Sequence, residues 1–153
     1  MSSGIMIRND FTVPASPEQV WTYLLDVEKV AKCLPGAQLT QIVDQQTYKG
    51  KMKVKMGAMD LTFSGTVTIT EMDPETGHVV MKASGREEKG KGQAEATVTA
   101  DVTPGGSGTQ VSVSQDINMS GAVAQYGRGM MQDVAGAMMG QFANCLKSQL
   151  SGR

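Results

Sequence analysis

Four lysines alternate along one short stretch, Lys49, Lys51, Lys53 and Lys55, with Tyr48, Met52, Val54 and Met56 on the other parity. A period of two puts the ammonium groups on one face of a strand and the apolar side chains on the other. Such a cationic row protects an exposed face or edge of a sheet. It can also meet an acidic protein or anionic lipid head groups, each lysine near a membrane surface contributing about 1 kcal/mol, although a solvated face is the commoner use of such a row. Other reactive groups are sparse. His78, the only histidine, sits beside a turn, and a lone imidazole builds no ordinary metal centre. Cys33 and Cys145 are far apart in the chain, without metal-ligand spacing or a neighbouring histidine. Both read as buried packing thiols, in keeping with a reducing cytoplasm. Gly85-Arg86-Glu87-Glu88-Lys89-Gly90 lacks the Gly-Lys-Ser/Thr ending of a phosphate loop. No catalytic triad or carboxylate pair can be picked out. The sequence therefore assigns no catalytic residue, no metal and no covalent cofactor, and it reads as a binding protein rather than an enzyme.

The elements that must position these residues follow from periodicity. Residues 5–13 alternate as a first strand. Ser16, Pro17 and Gln19 then form a helix start with an N-cap hydroxyl, proline at the first turn and a capping-box partner. Two short helices follow, ending before Leu34-Pro35-Gly36, where Pro35 disfavours helix at the residue before it. From there to Ser120 the period is two, punctuated by Asp73-Pro74-Glu75-Thr76-Gly77, by residues 89–92 and by Pro104-Gly105-Gly106-Ser107-Gly108. Strands joined by such short turns make an antiparallel meander. The last thirty or so residues, from Ser120 or Gly121 to Leu150, hold no proline and read as one long helix. The expected fold is α+β: about seven curved antiparallel strands wrapped around a long C-terminal helix, with two short helices after the first strand. One domain spans residues 5–150, and the ends, 1–4 and 151–153, are expected to be flexible.

Composition says what kind of interior this is. Twelve methionines outnumber one Trp, three Tyr and three Phe, and 18 of 153 residues are glycine. Methionine is unbranched and adaptable, so a sheet and helix meeting through it can part to admit an apolar guest. The candidate lining is Met52, Val54, Met56, Leu61, Phe63, Met81, Val98, Ile117, Met130, Val134, Met138 and Phe142, with Gln115 able to hydrogen-bond a polar head. On the helix, Gly129, Gly136 and Gly140 gather on the side away from that face, near Ala143. Each interior glycine costs about 1 kcal/mol relative to alanine; the strip they form offers a flat surface to a partner or lets the helix bend. A net charge of -1 excludes a general nucleic-acid binder, whose domains are usually basic. No run of about 18 apolar residues occurs, so no membrane-spanning helix is expected. The N-terminus has no signal-peptide pattern.

These residues resemble a known family. The order of elements is similar to the helix-grip fold of START-like, birch-pollen-allergen-like proteins. Val20-Trp21, Leu34-Pro35-Gly36-Ala37, Tyr48-Lys49-Gly50, Met56-Gly57, Phe63-Ser64-Gly65 and Gly121…Tyr126-Gly127, in this order, look like the G subunit of carbon monoxide dehydrogenase over residues 7–150. The resemblance implies an accessory protein of molybdenum-containing carbon monoxide dehydrogenase that recruits the enzyme to the inner face of the cytoplasmic membrane. It supplies no catalytic residues to carry over. Joined to the methionine-lined interior, it leads to an expectation: a hydrophobic lipid, a respiratory quinone or similar isoprenoid, bound between sheet and helix, with its mouth between Leu34-Pro35-Gly36 and the last helix. Two alternatives stand beside it. One is an adaptor that joins enzyme and membrane through the lysine row and glycine strip without a ligand. The other is a START-like cyclase or hydrolase, which would need titratable groups converging in the interior.

Overall fold

The computed structural model describes residues 5–56, 58–106, 108–125 and 128–151, of Met56, Arg128 and Ser151 the backbone only. The expectations for residues 1–4, Gly127, 152–153 and the Met56 side chain lie outside the described residues. Along the chain run β1 (Ile5–Val13), α1 (Pro17–Leu24), α2 (Val27–Cys33), β2 (Ala37–Ile42), β3 (Thr47–Met56), β4 (Met59–Asp73), β5 (His78–Glu87), β6 (Gln93–Gly105), β7 (Gly108–Ser120) and α3 (Arg128–Ser151). The strands form one antiparallel sheet in the order β1-β7-β6-β5-β4-β3-β2. The N-terminal strand closes onto the last, and β2 and β1 are the edges.

Local chemistry accounts for the boundaries. Ser16 Oγ accepts from the Gln19 N–H at 3.2 Å while Gln19 Oε1 accepts from the Ser16 N–H at 3.1 Å, the reciprocal pair of a capping box. Asp26 caps α2 by accepting from the Lys29 N–H at 3.3 Å. The expected unbroken final helix is corrected: a separate 3-10 turn, Ala122–Gln125, precedes α3. Gly121 takes φ +82° and passes so close to the β5–β6 hairpin that a Cβ there would lie 2.7 Å from Gly92 Cα. The Val123 N–H then bonds the Lys91 carbonyl at 2.9 Å and its side chain is buried. Anchoring to residues 91–92 turns the chain before the helix can start.

The core forms two clusters at opposite ends of the sheet's concave face. The first gathers Val13, Val20, Tyr23, Cys33, Ile69, Val79, Ala100, Val102, Val111 and Val113 around Phe142 and Leu146 of α3. There Phe11 meets Phe142 edge-on, ring centroids 6.3 Å apart. The second joins Leu61, Val123 and Met131, flanked by Ile5, Val54, Phe63, Ile117 and Val134. Bending the sheet around α3 requires backbone without side chains at the fold line. Gly50, Gly65 and Gly85 stand in register across β3, β4 and β5. At Gly65 a Cβ would overlap the Ser84 carbonyl oxygen. Glycine kinks of this kind are what let a sheet curl.

The cysteine reading is overturned. Cys33, at the end of α2, and Cys145, in α3, form a disulfide across 112 residues, their Cα atoms 5.5 Å apart. Spacing in the chain carries no trace of this pairing, because only the packing of α2 against α3 brings the two thiols together. With both sulfurs crosslinked, the two cysteines no longer point to a reducing compartment.

Candidate functional site

Between the two clusters the concave face is less buried than at either end. Along β4, Leu61 and Ile69 are exposed by only 1% and 5%, whereas Phe63, Gly65 and Val67 on the same face between them are half-buried. The same change occurs along β5, from buried Val79 to half-buried Met81, Ala83 and Gly85, and along β7, from Val111 and Val113 to Gln115, Ile117 and Met119. It recurs along β6, from buried Ala100 and Val102 to Ala94, Ala96 and Val98. Registers place these residues side by side: Val67 opposite Ala83, Ala83 opposite Ala96, Ala96 opposite Ile117. Met52, Val67, Ala83, Ala96 and Gln115 belong to neither cluster. The result is a water-reachable apolar band floored by small side chains, crossing the sheet beneath α3.

At one end of the molecule a groove of about 410 Å³ runs between Pro35, Gly36 and the β3 residues Lys53, Val54 and Lys55 on one side and Asp133, Val134, Ala137, Met138 and Gln141 of α3 on the other. The lip is fixed. Gly36 has φ +85° and a Cβ there would overlap the Lys53 carbonyl, while the Lys53 N–H bonds the Gly36 carbonyl at 2.9 Å. The disulfide holds the residue just before Leu34-Pro35-Gly36 to α3. A second groove, about 610 Å³, lies where the α1–α2 junction meets the ends of β2 and β3, among Leu25, Val27, Ile42 and Tyr48, with Asp26, Glu28 and Asp44 around it.

Of the residues expected to line a cavity, Val54, Val134 and Met138 line the first groove. Met52 and Gln115 lie in the band. Phe63 and Ile117 flank it from the second cluster, and Met81 and Val98 from the first. Leu61 and Phe142 are buried core residues at its two ends. Met130 is corrected to the surface, 36% exposed, while Met131 is buried; successive helix residues point about 100° apart, and α3 turns Met131 inward. The lysines Lys49, Lys51, Lys53 and Lys55 are all exposed, on the convex side of β3. Lys51 pairs with Glu88 at 3.1 Å, and Lys53 and Lys55 reach the groove. Gly129, Gly136 and Gly140 have no other atom within 4 Å of a built Cβ, whereas Ala143, expected beside them, is buried.

Two polar groups on the concave side escaped the sequence reading. Asn9 occupies an inward position of β1, between Ile7 and Phe11 and opposite Val113. Its side-chain oxygen is shut off from water and has no donor among the described residues. The signal was present: a polar residue interrupting an alternating apolar set. Glu87, only 2% exposed, ends β5. Its carboxylate accepts from the backbone N–H groups of Thr62 at 3.1 Å, Lys89 at 2.9 Å and Lys91 at 3.2 Å. The Thr62 bond above all, against the opposing effect of burial, holds its pKa below the usual carboxylate value. A carboxylate bound on so many sides organises a turn and is a poor base. His78 lies far from the band at the outer end of β5, its Nδ1 2.7 Å from Asp101 Oδ1, a bond that raises its pKa.

The Glu87 geometry makes a prediction. A group with a depressed folded pKa adds stability above its unfolded value, about 4.3, and loses it as pH falls through the folded value. Glu87→Gln is expected to lower Tm by about 5 °C at pH 7, with the gap to the unaltered protein closing as pH falls below the unfolded value and through the depressed folded one. Thermal unfolding followed by circular dichroism across that range checks it; a gap independent of pH would refute the assignment.

A helix-gripping sheet of this kind is found in several solved structures. A conserved protein from Geobacillus kaustophilus superposes with a TM-score of 0.83 at 22% identity, over 97% of this chain and 95% of that one. Ara h 8.0201 gives 0.70 at 16% identity over 99% and 100% of the two chains. The Zhui aromatase/cyclase from Streptomyces sp. R1128 gives 0.68 at 14% identity over 97% and 94%. At these identities the likeness shows the helix-grip fold alone. No curated protein matches the chain, and among the described residues no helix is long and apolar enough to cross a membrane. The sequence model of the G subunit of carbon monoxide dehydrogenase (CoxG) matches residues 10–151. With that match spanning the sheet and α3 alike, the chain belongs to the CoxG family of carbon monoxide dehydrogenase subunits, a membership that implies an accessory role beside that enzyme.

Proposed function

We propose that this protein holds a hydrophobic lipid with a small polar head, of the respiratory-quinone class, under α3, and that it links a carbon monoxide dehydrogenase to the inner face of the cell membrane and its respiratory chain. The observation that carries this reading is the half-buried apolar band between the two core clusters. Apolar surface left to water costs about 25 cal/mol per Å², and an apolar guest recovers that free energy. The methionines beside the band, Met52, Met81 and Met138, adjust to a guest at little cost. Lys53 and Lys55 at the groove, with exposed Met130 nearby in sequence on α3, suit a negatively charged lipid surface. The chain itself is redox-inert in this scheme, and ligand exchange rather than catalysis is its task.

Organic extraction of the purified protein followed by mass spectrometry is expected to release a lipid, and the emptied protein is expected to take up added quinone. Met138→Trp, which fills the groove, is expected to weaken that uptake at least about tenfold, on the order of 1.4 kcal/mol. Repeated absence of lipid together with no uptake would overturn the proposal. The open space over Gly129, Gly136 and Gly140 supports the adaptor as a second reading. Under it, Gly136→Leu breaks the complex with the dehydrogenase while Met138→Trp leaves function intact.

A further inference from the structure

We infer that the interior site selects a ligand whose polar head bears a hydroxyl group, and that Asn9 and Gln115 recognise it. The inference rests on the ligand-holding reading above and names the chemistry of the head. Asn9 points into the concave face from β1, beside α3 and between the positions of Ile7 and Phe11. Ile5 belongs to the second cluster and Phe11 to the first, so Asn9 stands at the gap between them. Its Oδ1 is enclosed, with no donor among the described residues. An enclosed acceptor without a donor is destabilising, and an apolar residue of similar size would remove the penalty. Asn118 Oδ1, on the other face of β7, is likewise enclosed without a donor among the described residues, but only Asn9 is on the concave side, where the O–H of a guest would remove the penalty.

Gln115 supplies the second half. It is opposite Ile7 on β7, one inward position along from Val113, which faces Asn9. The two amides are thus diagonal neighbours on the same face of adjacent strands, roughly 7–8 Å apart at the backbone and within reach of one small group between them. Gln115 makes no side-chain hydrogen bond among the described residues and stays half-buried. The other inward positions of the band are glycine, alanine, valine, methionine, isoleucine or phenylalanine, none with a hydrogen-bonding side chain. A hydroxyl can donate to Asn9 Oδ1 and accept from the Gln115 amide nitrogen at the same time. A carbonyl or ether oxygen satisfies only Gln115 and leaves the Asn9 oxygen unpaired. The site therefore prefers a phenol or hydroquinone-type head to an otherwise equal head without an O–H.

The test uses para-octylphenol and its methyl ether, which share tail and ring but differ in the O–H donor, titrated into the delipidated full chain by calorimetry or by displacement of a fluorescent apolar probe. The unaltered protein is expected to bind the phenol about tenfold more tightly than the ether. Asn9→Leu is expected to bring the ratio close to one while keeping ether affinity and without lowering Tm; Asn9→Ala replaces it should the leucine variant not fold. Gln115→Met is expected to weaken both ligands and leave their ratio unchanged. Equal affinities in the unaltered protein, or a preference that survives in Asn9→Leu, would overturn this inference and leave the ligand-holding reading standing. Failure of both compounds to bind would overturn the two together.

Discussion

Gly65→Ala is expected to cost more than about 4 kcal/mol, a loss of the size reserved for a forced steric rearrangement, and Gly65→Val to yield no soluble folded protein. The new Cβ would occupy the place of the Ser84 carbonyl oxygen and lie 2.7 Å from Gly85 Cα. Neither neighbour is a side-chain tip that can swing away; both are backbone in a paired strand. Since a domain of ordinary stability holds only about 5–15 kcal/mol in total, the loss consumes much of it. The control is one strand away. At Gly85 the nearest atom to a built Cβ is Phe63 Cβ at 3.4 Å, ordinary contact, and a strand glycine is already weaker than alanine by about 0.5–1 kcal/mol. Gly85→Ala is therefore expected to lie within about 1 kcal/mol of the unaltered protein. Urea unfolding of the two variants decides the matter: equal stabilities would mean that the curl of the sheet does not depend on the fold line at Gly65.

Removing the disulfide is the second large effect. A crosslink closing a loop of about 100 residues withdraws roughly 5 kcal/mol of entropy from the unfolded chain, and Cys33 and Cys145 are 112 residues apart. Reduction, or Cys33→Ser with Cys145→Ser, is expected to lower Tm on the order of 10 °C. The double variant is expected to be indifferent to reductant. Thiol titration in denaturant gives the independent check, with no free thiol before reduction and two after. Two reactive thiols in the untreated protein would dispose of the crosslink. The bond also joins α3 to the residue before the groove's lip, so its loss is expected to loosen the same wall through which a ligand would pass.

Much of the architecture was legible from residue order because it is dictated locally. Alternation along residues 47–56 separates lysines from apolar groups whatever the strand pairs with. Ser16, Pro17 and Gln19 cap α1 by hydrogen bonds that reach three residues. Pro35 and Gly77 punctuate through backbone geometry alone. Family membership was legible for the same reason, since its motifs are short contiguous stretches within helix, turn and strand. The groove between Pro35 and α3 falls where the expected mouth was put, yet only Val54, Val134 and Met138 of the expected lining reach it.

What the tertiary structure alone decided are facts about which distant residues share a place. Periodicity says that Leu61, Phe63 and Val67 share a face; it does not say that the first is buried and the others are not, because that depends on where α3 crosses the sheet. It ranks Met130 and Met131 alike, until the packing of Met131 against Leu61 and Val123 fixes the rotation of the helix. Two cysteines 112 residues apart carry no mutual signal, because a covalent bond needs a geometry that only packing provides. Asn9 and Gln115 look like unrelated polar interruptions until β1 pairs with β7. Local sequence determines the elements and their faces through short-range sterics and hydrogen bonds; burial, crosslinking and the meeting of polar groups arise from long-range packing, and it is there that the site is made.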